Sequence, residues 1–146
     1  METLVIDASI AVKWVVEEEG TEDALRLRTG FNLLAPELLI AECANILWKK
    51  VQRGELLPDE AAMAGRLLER SGIAFVPMRG LLEATTALAI KLSHPAYDCV
   101  YLTVANQSQA RFVTADQRLL RALAERAPPD ISDRCISLSE LARTAH

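Results

Sequence analysis

Four acidic side chains have neighbours that make them candidates for chemistry. Asp7 comes directly after a run of branched apolar residues, and Asp116 comes after a second short apolar run. Glu42 lies inside an apolar stretch, and Asp98 directly precedes one. Burying a carboxylate without a partner costs several kcal/mol, so each of these acids needs a counter-charge, a proton or a hydrogen-bond donor.

These acids would repel one another if the fold brought them together. Two like charges ~4 Å apart at a surface-like dielectric repel by ~4 kcal/mol, so a cluster of carboxylates requires protons or a cation. An all-oxygen ligand set suits Mg²⁺ or Mn²⁺. Such ions promote phosphodiester hydrolysis by activating water and neutralising the leaving oxygen. The acids therefore predict a metal site of that kind, provided that the fold gathers them.

Strands and helices alternate along the chain, which is typical of an α/β protein. The predicted strands span 3–7, 32–35, 73–76, 111–114 and 135–136. The predicted helices span 8–18, 21–30, 36–53, 58–70, 81–92, 96–105, 116–126 and 138–143. This alternation predicts a parallel sheet covered on both faces, and right-handed crossovers put the carboxyl ends of its strands at one edge.

That edge is where the acids that follow strands should meet. Asp7 and Asp116 both follow predicted strands, and ligand sites of open α/β sheets lie at the carboxyl ends of the strands. An alternative for Asp7 stays open, because an Asp in this position can simply cap the next helix. The acids 17–19 are expected to lie in solvent at the end of the first helix, or to reach toward the metal site.

The composition is that of one ordinary globular domain covering residues 1–146. Hydrophobic residues make up 51% of the chain and charged residues 25%, as is usual for soluble proteins. The net charge of −4 does not indicate strong nucleic-acid binding, nor exclude it, since a bound divalent metal changes the local charge. No apolar run approaches the ~20 residues of a membrane span, so we expect a cytoplasmic protein without membrane contact.

Other catalytic chemistries find little support in the chain. His94 lies in a connector before a proline and His146 is the last residue, so neither is expected to be catalytic. The phosphate-binding patterns G-x-x-x-x-G-K-[ST] and G-x-G-x-x-G do not occur. Cys43, Cys99 and Cys135 are far apart among apolar neighbours, which predicts buried free thiols in a reducing compartment.

The segments around the four acids resemble PIN-domain ribonucleases, and specifically the VapC toxins of bacterial toxin–antitoxin pairs. The matching segments are 5–9 (VIDAS), 41–45 (AECAN), 97–105 (YDCVYLTVA) and 112–120 (FVTADQRLL). They occur in the order of the family and extend over nearly the whole chain. One such motif alone would carry little weight, but the ordered set is specific.

The resemblance implies a three-layer α/β/α sandwich with a central parallel sheet and a metal-dependent endoribonuclease activity. It implies that the acids at positions 7, 42, 98 and 116 hold one or two Mg²⁺ or Mn²⁺ ions. Ser9 and Thr114 match hydroxyl positions that support the acids, and Asn45 matches a polar position beside Glu42. Members of the family are usually homodimers, held inactive by a cognate VapB-type antitoxin whose tail enters the acidic groove.

Within this interpretation the acids take different roles. Asp7 and Asp98 are expected to bind the metal directly, and Asp116 and Glu42 to complete the site directly or through water. Basic side chains near the motifs could steer the RNA substrate, although each could equally be a solvated surface charge. These candidates are Lys13, Lys49, Lys50 and Arg118.

Two alternatives remain open. A haloacid-dehalogenase-like phosphatase would use Asp7 as a nucleophile, but such enzymes usually carry a second Asp two residues later, where this chain has Ser9. They also need a lysine after a later strand, and no convincing one is present. A non-catalytic binding module of the same fold would be expected to have lost some of the four acids, and all are present.

Overall fold

Within residues 1–144, which the computed structural model describes, five strands form one sheet whose neighbours all run parallel. The strands are β1 (Thr3–Ile6), β2 (Asn32–Pro36), β3 (Ala74–Val76), β4 (Arg111–Thr114) and β5 (Cys135–Ser137). Their order across the sheet is β3-β2-β1-β4-β5. The chain therefore builds β2 and β3 on one side of β1, then returns to build β4 and β5 on the other.

Helices cover both faces of this sheet. They are α1 (Ala8–Ala11), α2 (Thr21–Gly30), α3 (Leu38–Gln52), α4 (Pro58–Glu69), α5 (Leu82–Leu92), α6 (Ala96–Ser108), α7 (Gln117–Arg126), α8 (Pro129–Ser132) and α9 (Leu138–Thr144). Right-handed crossovers place α1–α4 on one face and α5–α8 on the other, because the direction of strand addition reverses after β3. The predicted three-layer α/β/α sandwich with a central parallel sheet is confirmed.

The centre of the sheet is buried because its strands carry consecutive branched or aromatic residues. Leu4, Val5 and Ile6 of β1, and Phe112 and Val113 of β4, have no solvent exposure. Burying each such side chain contributes roughly 1.5–3 kcal/mol. The strand order reverses between β1 and β4, which is where open α/β sheets form a ligand crevice at their carboxyl ends. The core thus holds the two strands that precede Asp7 and Asp116 in a fixed relation.

The first helix is much shorter than the predicted span 8–18. α1 ends at Ala11 and continues only as a 3₁₀ turn, Val12–Trp14. The chain beyond is held by side chains from later segments: the Thr21 hydroxyl accepts the N–H of Glu18 at 2.9 Å. The local helical pattern does not include these partners, which hold the chain after Trp14 in a loop.

One proline does not lie where the sequence pattern predicts. Pro36 was expected to open a helix, but it is the last residue of β2 and pairs with Val76, so α3 begins at Leu38. Pairing of β2 with β1 extends only to Leu34, so the N–H that Pro36 lacks is not needed by that ladder. Pro129 occupies the first turn of α8, a short helix that is absent from the predicted elements.

The prediction of free thiols is confirmed. Cys43 and Cys99 are buried, Cys135 is half-buried, and all three are unpaired as thiols. Burial raises the pKa of Cys43 to about 12, so this thiol has little thiolate character. Among the helices of residues 1–144, we find none whose length and apolar character would suit a membrane span.

Candidate active site

One cavity of about 430 Å³ lies at the carboxyl ends of β1 and β4. Its walls come from the segment after β1, from α3, from the first turns of α6 and from the segment after β4. The predicted residues that line it are Asp7, Ser9, Glu42, Asn45, Asp98 and Asp116. Side chains distant in sequence are therefore gathered at a single acidic pocket, as the resemblance implies for the four acids.

Asp7 is the most deeply buried of the acids, with 8% of its surface exposed. Its Oδ1 accepts from the Ser9 hydroxyl at 2.5 Å and from the Ile10 N–H at 3.4 Å, and its Oδ2 accepts from Thr114 at 2.5 Å. Burial raises the pKa of Asp7 to about 6, although the hydroxyl hydrogen bonds lower it. Asp7 therefore caps α1 and lines the pocket as well, so the two interpretations of this residue are compatible.

The hydroxyls that hold Asp7 also join β1 to β4. Ser9 Oγ accepts the N–H of Ala115 at 3.0 Å, and Thr114 Oγ1 accepts the N–H of Asp116 at 3.0 Å. The two hydroxyl oxygens lie 3.4 Å apart. Because each hydroxyl donates to Asp7 and accepts from the backbone after β4, the rotamer of Asp7 is fixed from several directions.

Asp116 is exposed and caps α7. Its Oδ1 accepts the N–H groups of Arg118 and Leu119, at 3.0 and 3.1 Å. Within the described residues, its Oδ2 accepts no hydrogen bond, so that oxygen can take part in binding at the pocket. The α7 N-terminus also favours the negative charge.

Glu42 projects from α3 and is half-buried. The hydroxyl of Tyr101, a residue of α6 with 1% of its surface exposed, donates to Glu42 Oε1. Burial raises the pKa of Glu42 and the charge of Asp98 raises it further, while the hydrogen bond from Tyr101 lowers it. Burial, together with the bond to Glu42, raises the pKa of Tyr101 far above its ordinary value. The Tyr101 hydroxyl is therefore a permanent donor to Glu42.

Replacing Tyr101 by Phe is expected to destabilise the metal-free protein by about 1–2 kcal/mol, because a buried hydrogen bond to a charged group is lost while the stacking on Phe112 is kept. The pKa of Glu42 should rise further, since the donor that lowers it is gone. Urea unfolding in EDTA measures the first effect. Tyr97→Phe is the matched control, because Tyr97 is 69% exposed on the same helix. Equal stability of Tyr101→Phe and wild type would contradict a stabilising hydrogen bond from Tyr101 to Glu42.

Asp98 lies in the first turn of α6, with its side chain 34% exposed. Its Oδ2 is 2.7 Å from Nε2 of His94, whose side chain is only 12% exposed. His94 therefore has an acidic partner, which the sequence analysis does not identify. The other histidine, His146, lies outside the residues that the structure describes.

The donor set suits a hard divalent cation. All four acids offer carboxylate oxygens, which Mg²⁺ and Mn²⁺ prefer, and the repulsion of Glu42 by Asp98 shows up in the raised pKa of Glu42. In the present rotamers, however, no three His, Cys, Asp or Glu side chains of residues 1–144 surround a common point closely enough to hold an ion. Mg²⁺ usually keeps several waters and binds through one or two carboxylates. The chemistry of the carboxylates fits such an ion, and Asp7, Glu42, Asp98 and Asp116 are the residues that would hold it.

Two of the basic candidates are occupied elsewhere. Lys13 and Lys50 bind opposite oxygens of Glu18, at 3.2 and 3.0 Å, and each side chain is only 13% exposed. Burial raises the pKa of Glu18, but the hydrogen bonds and charges of the two lysines lower it more. Glu18 is therefore neither a free solvated acid nor directed at the pocket. Lys49 and Arg118 are exposed and, within residues 1–144, enter no ion pair.

The motifs do not by themselves identify Tyr101 as the partner of Glu42, or His94 as the partner of Asp98. Both have a positional signal: Tyr101 lies three residues after Asp98 and His94 four residues before it, so both can reach the same end of one helix. The contact of Tyr101 with Glu42 joins residues 59 positions apart, which local spacing cannot indicate.

Comparison with known proteins gives consistent results. The model of the PIN domain matches residues 4–125. Ribonuclease VapC3 of Pyrobaculum aerophilum is 34% identical over 131 residues, covering 86% of this chain and 95% of that protein. Ribonuclease VapC9 of Mycobacterium tuberculosis is 30% identical over 116 residues, covering 80% of this chain and 87% of that protein.

Among solved structures, the crystal structure of PAE2754 from Pyrobaculum aerophilum superimposes with a TM-score of 0.72 at 21% identity. The match covers 97% of this chain and 88% of that one, which shows that the two share a fold. Family model, curated relatives and fold agree with the acidic pocket at the switch point of the sheet. The chain therefore belongs to the PIN domain family, among the relatives of the VapC ribonucleases.

Proposed function

We propose that this protein is a metal-dependent endoribonuclease that hydrolyses RNA phosphodiester bonds, as the toxin of a type II toxin–antitoxin pair. The observation that carries the proposal is the single pocket in which Asp7, Glu42, Asp98 and Asp116 converge. Its place at the switch point of a PIN-domain sheet, and relatives named as ribonucleases, support the same conclusion.

The acids would hold Mg²⁺ or Mn²⁺, which when bound supplies an activated water and neutralises the leaving oxygen. Asp7 is held by two hydroxyls and one N–H, so its carboxylate is preorganised and needs no reorientation to bind. Its pKa of about 6 leaves it ionised at neutral pH. Asp98, Glu42 and Asp116 are more exposed; Asp98 would bind the metal together with Asp7, and Glu42 and Asp116 would complete the site directly or through water.

The phosphatase alternative fits the site less well. Ser9 takes up Oδ1 at the position where such enzymes usually carry a second Asp. A covalent aspartyl adduct at Asp7 would favour the phosphatase. A non-catalytic module would bind no divalent metal and cleave no RNA.

Arg118, which is exposed and close to Asp116 in sequence, is the candidate we choose for a contact with the RNA backbone. It lies in the first turn of α7, and its backbone N–H donates to Oδ1 of Asp116, a residue of the pocket, at 3.0 Å. Arg118→Gln is expected to weaken RNA binding several-fold and to lower the salt dependence of binding by about one phosphate contact. Fluorescence anisotropy with a labelled RNA at several salt concentrations measures both. Arg121→Gln, one turn farther along α7, is the control, and equal effects of the two changes would refute a specific role.

We further propose a VapB-type antitoxin partner and a homodimer, both suggested by the resemblance to VapC toxins. Support for protein partners comes from apolar side chains left exposed on α3, where Ile40 is 55% and Trp48 is 56% exposed. Exposed apolar surface of this kind commonly marks interaction sites. Co-expression with a neighbouring small reading frame, followed by size determination of the purified complex, tests both partners.

The activity is tested by incubating cellular RNA with the protein in Mg²⁺ or Mn²⁺, and again with a chelator. Cleavage with metal, its loss on chelation and its recovery with excess metal are expected, because the carboxylates alone cannot stabilise the leaving oxygen. The Asp98→Asn variant, purified in the same way, excludes a contaminating nuclease. Activity that survives chelation would remove the metal mechanism.

A further inference from the structure

His94 is held by the backbone at the junction of two helices. The backbone N–H of His94 donates to the Ala89 carbonyl at 3.1 Å and so closes the C-terminus of α5. The preceding Ser93 has a left-handed conformation, with φ of 49°. The following Pro95 is the N-cap of α6 and fixes the chain direction there. Because both sides are constrained, the fold sets the direction of the Cα–Cβ bond of His94.

Pro95 also determines which partner Asp98 can take. Asp98 is the third residue of α6 after the cap, and an acid at this position commonly folds back onto the N–H of the cap residue. A proline has no such N–H, so the usual partner of Asp98 is missing. The His94 imidazole takes its place, with Nε2 at 2.7 Å from Oδ2. Because an ionised carboxylate only accepts hydrogen bonds, the Nε2 atom carries the proton of this bond.

We propose that His94 is a positioning residue of the metal site: it fixes Oδ2 of Asp98 so that Oδ1 is left for the acidic pocket. The proposal rests on the proposed metal-dependent function. Asp98 lines the pocket, whereas the lining among the described residues does not include His94. His94 therefore acts through Asp98 and not on the substrate. Partners that orient metal-binding side chains in this way typically change metal affinity by about 10–100-fold when removed.

Three substitutions of His94 test whether the position of the hydrogen-bond donor matters, or only its presence. Gln places an N–H donor as many bonds from Cβ as the imidazole Nε2, Asn places it one bond nearer, and Ala removes it. Mn²⁺ affinity is measured by calorimetry at pH 7.5 on the full chain, and the free energy of unfolding in EDTA is measured by urea titration. We expect His94→Ala and His94→Asn to weaken Mn²⁺ binding by about tenfold or more, and His94→Gln to retain most of it.

A double-mutant cycle with Asp98→Asn tests whether His94 acts through Asp98. We expect His94→Ala to have no further effect on Mn²⁺ affinity once Asp98 has become Asn. If the His94 variants unfold at lower urea but bind Mn²⁺ as wild type does, the pair serves only the helix junction and the inference is overturned. Tighter Mn²⁺ binding by His94→Ala would overturn it too, since His94 would then compete with the metal. Absence of Mn²⁺ binding by wild type would instead overturn the proposed function, and this inference with it.

Discussion

Asp7→Asn is expected to lower RNA cleavage by about a thousandfold or more, a loss of about 4 kcal/mol in transition-state stabilisation. The amide keeps the shape of the side chain but removes the charge of the one acid whose rotamer is fixed in advance by Ser9 and Thr114. The variant should remain folded, because hydroxyls can donate or accept and so can satisfy an amide as well as a carboxylate. Initial rates of cleavage of a defined RNA measure the effect.

Asp133→Asn is the matched control, since Asp133 is exposed and lies outside the acidic pocket. Its substitution changes the net charge by the same amount as Asp7→Asn does. Its rate should equal that of wild type. A cleavage rate of Asp7→Asn within a few-fold of wild type would show that Asp7 only caps α1. A variant that failed to fold would be recognised by its circular dichroism spectrum, and Asp98→Asn would then serve in its place.

The metal-free protein is expected to become less stable, relative to Asp7→Asn, as the pH rises from about 4 to about 7. The folded state raises the pKa of Asp7 from 3.8 to about 6 through burial, so between these values the folded state binds more protons than the unfolded state. The stabilisation is fully present below the lower value and is lost as the pH rises through the upper one. A shift of this size corresponds to about 3 kcal/mol.

Urea unfolding of both proteins in EDTA, at several pH values, measures this difference. Comparing the two proteins removes the contribution of Glu2 and Glu18, whose lowered pKa values act in the opposite direction in both. Added Mn²⁺ should stabilise wild type at pH 7.5 and much less at pH 5, where protons compete for the carboxylates. A difference between the proteins that does not change with pH would contradict the buried, ionised state of Asp7.

The sheet and its acidic edge could be predicted because their signals are local. Three branched residues before Asp7 predict a buried strand that ends in a charge. The short run 111–114, followed after one residue by Asp116, resembles that pattern. The crossover rule then places both acids at one edge without knowledge of the strand order. Which strands are neighbours had to come from the structure, because registers such as Val5 with Phe112 depend on contacts distant in sequence.

The errors of prediction have the same origin. The chain after the first helix is held by contacts that a local pattern does not include, among them that of Lys50 with Glu18 across 32 positions. Pro36 lies in β2, where it pairs with Val76. The contact with Glu18 also removes Lys50 from the candidates for RNA binding. The link between His94 and Asp98 is local, but a proline between two residues usually indicates a break in the chain and not a contact across it.

Mn²⁺ binding to metal-free protein at pH 7.5, followed by calorimetry and electron paramagnetic resonance, tests most directly whether the converging acids form a metal site. The proteins to compare are wild type, Asp133→Asn and the single amide variants of Asp7, Glu42, Asp98 and Asp116. We predict saturable binding by wild type and Asp133→Asn, weakened about tenfold or more in each of the other variants. Absence of saturable binding by wild type, or binding that all four amide variants leave unchanged, would contradict a metal site formed by these acids.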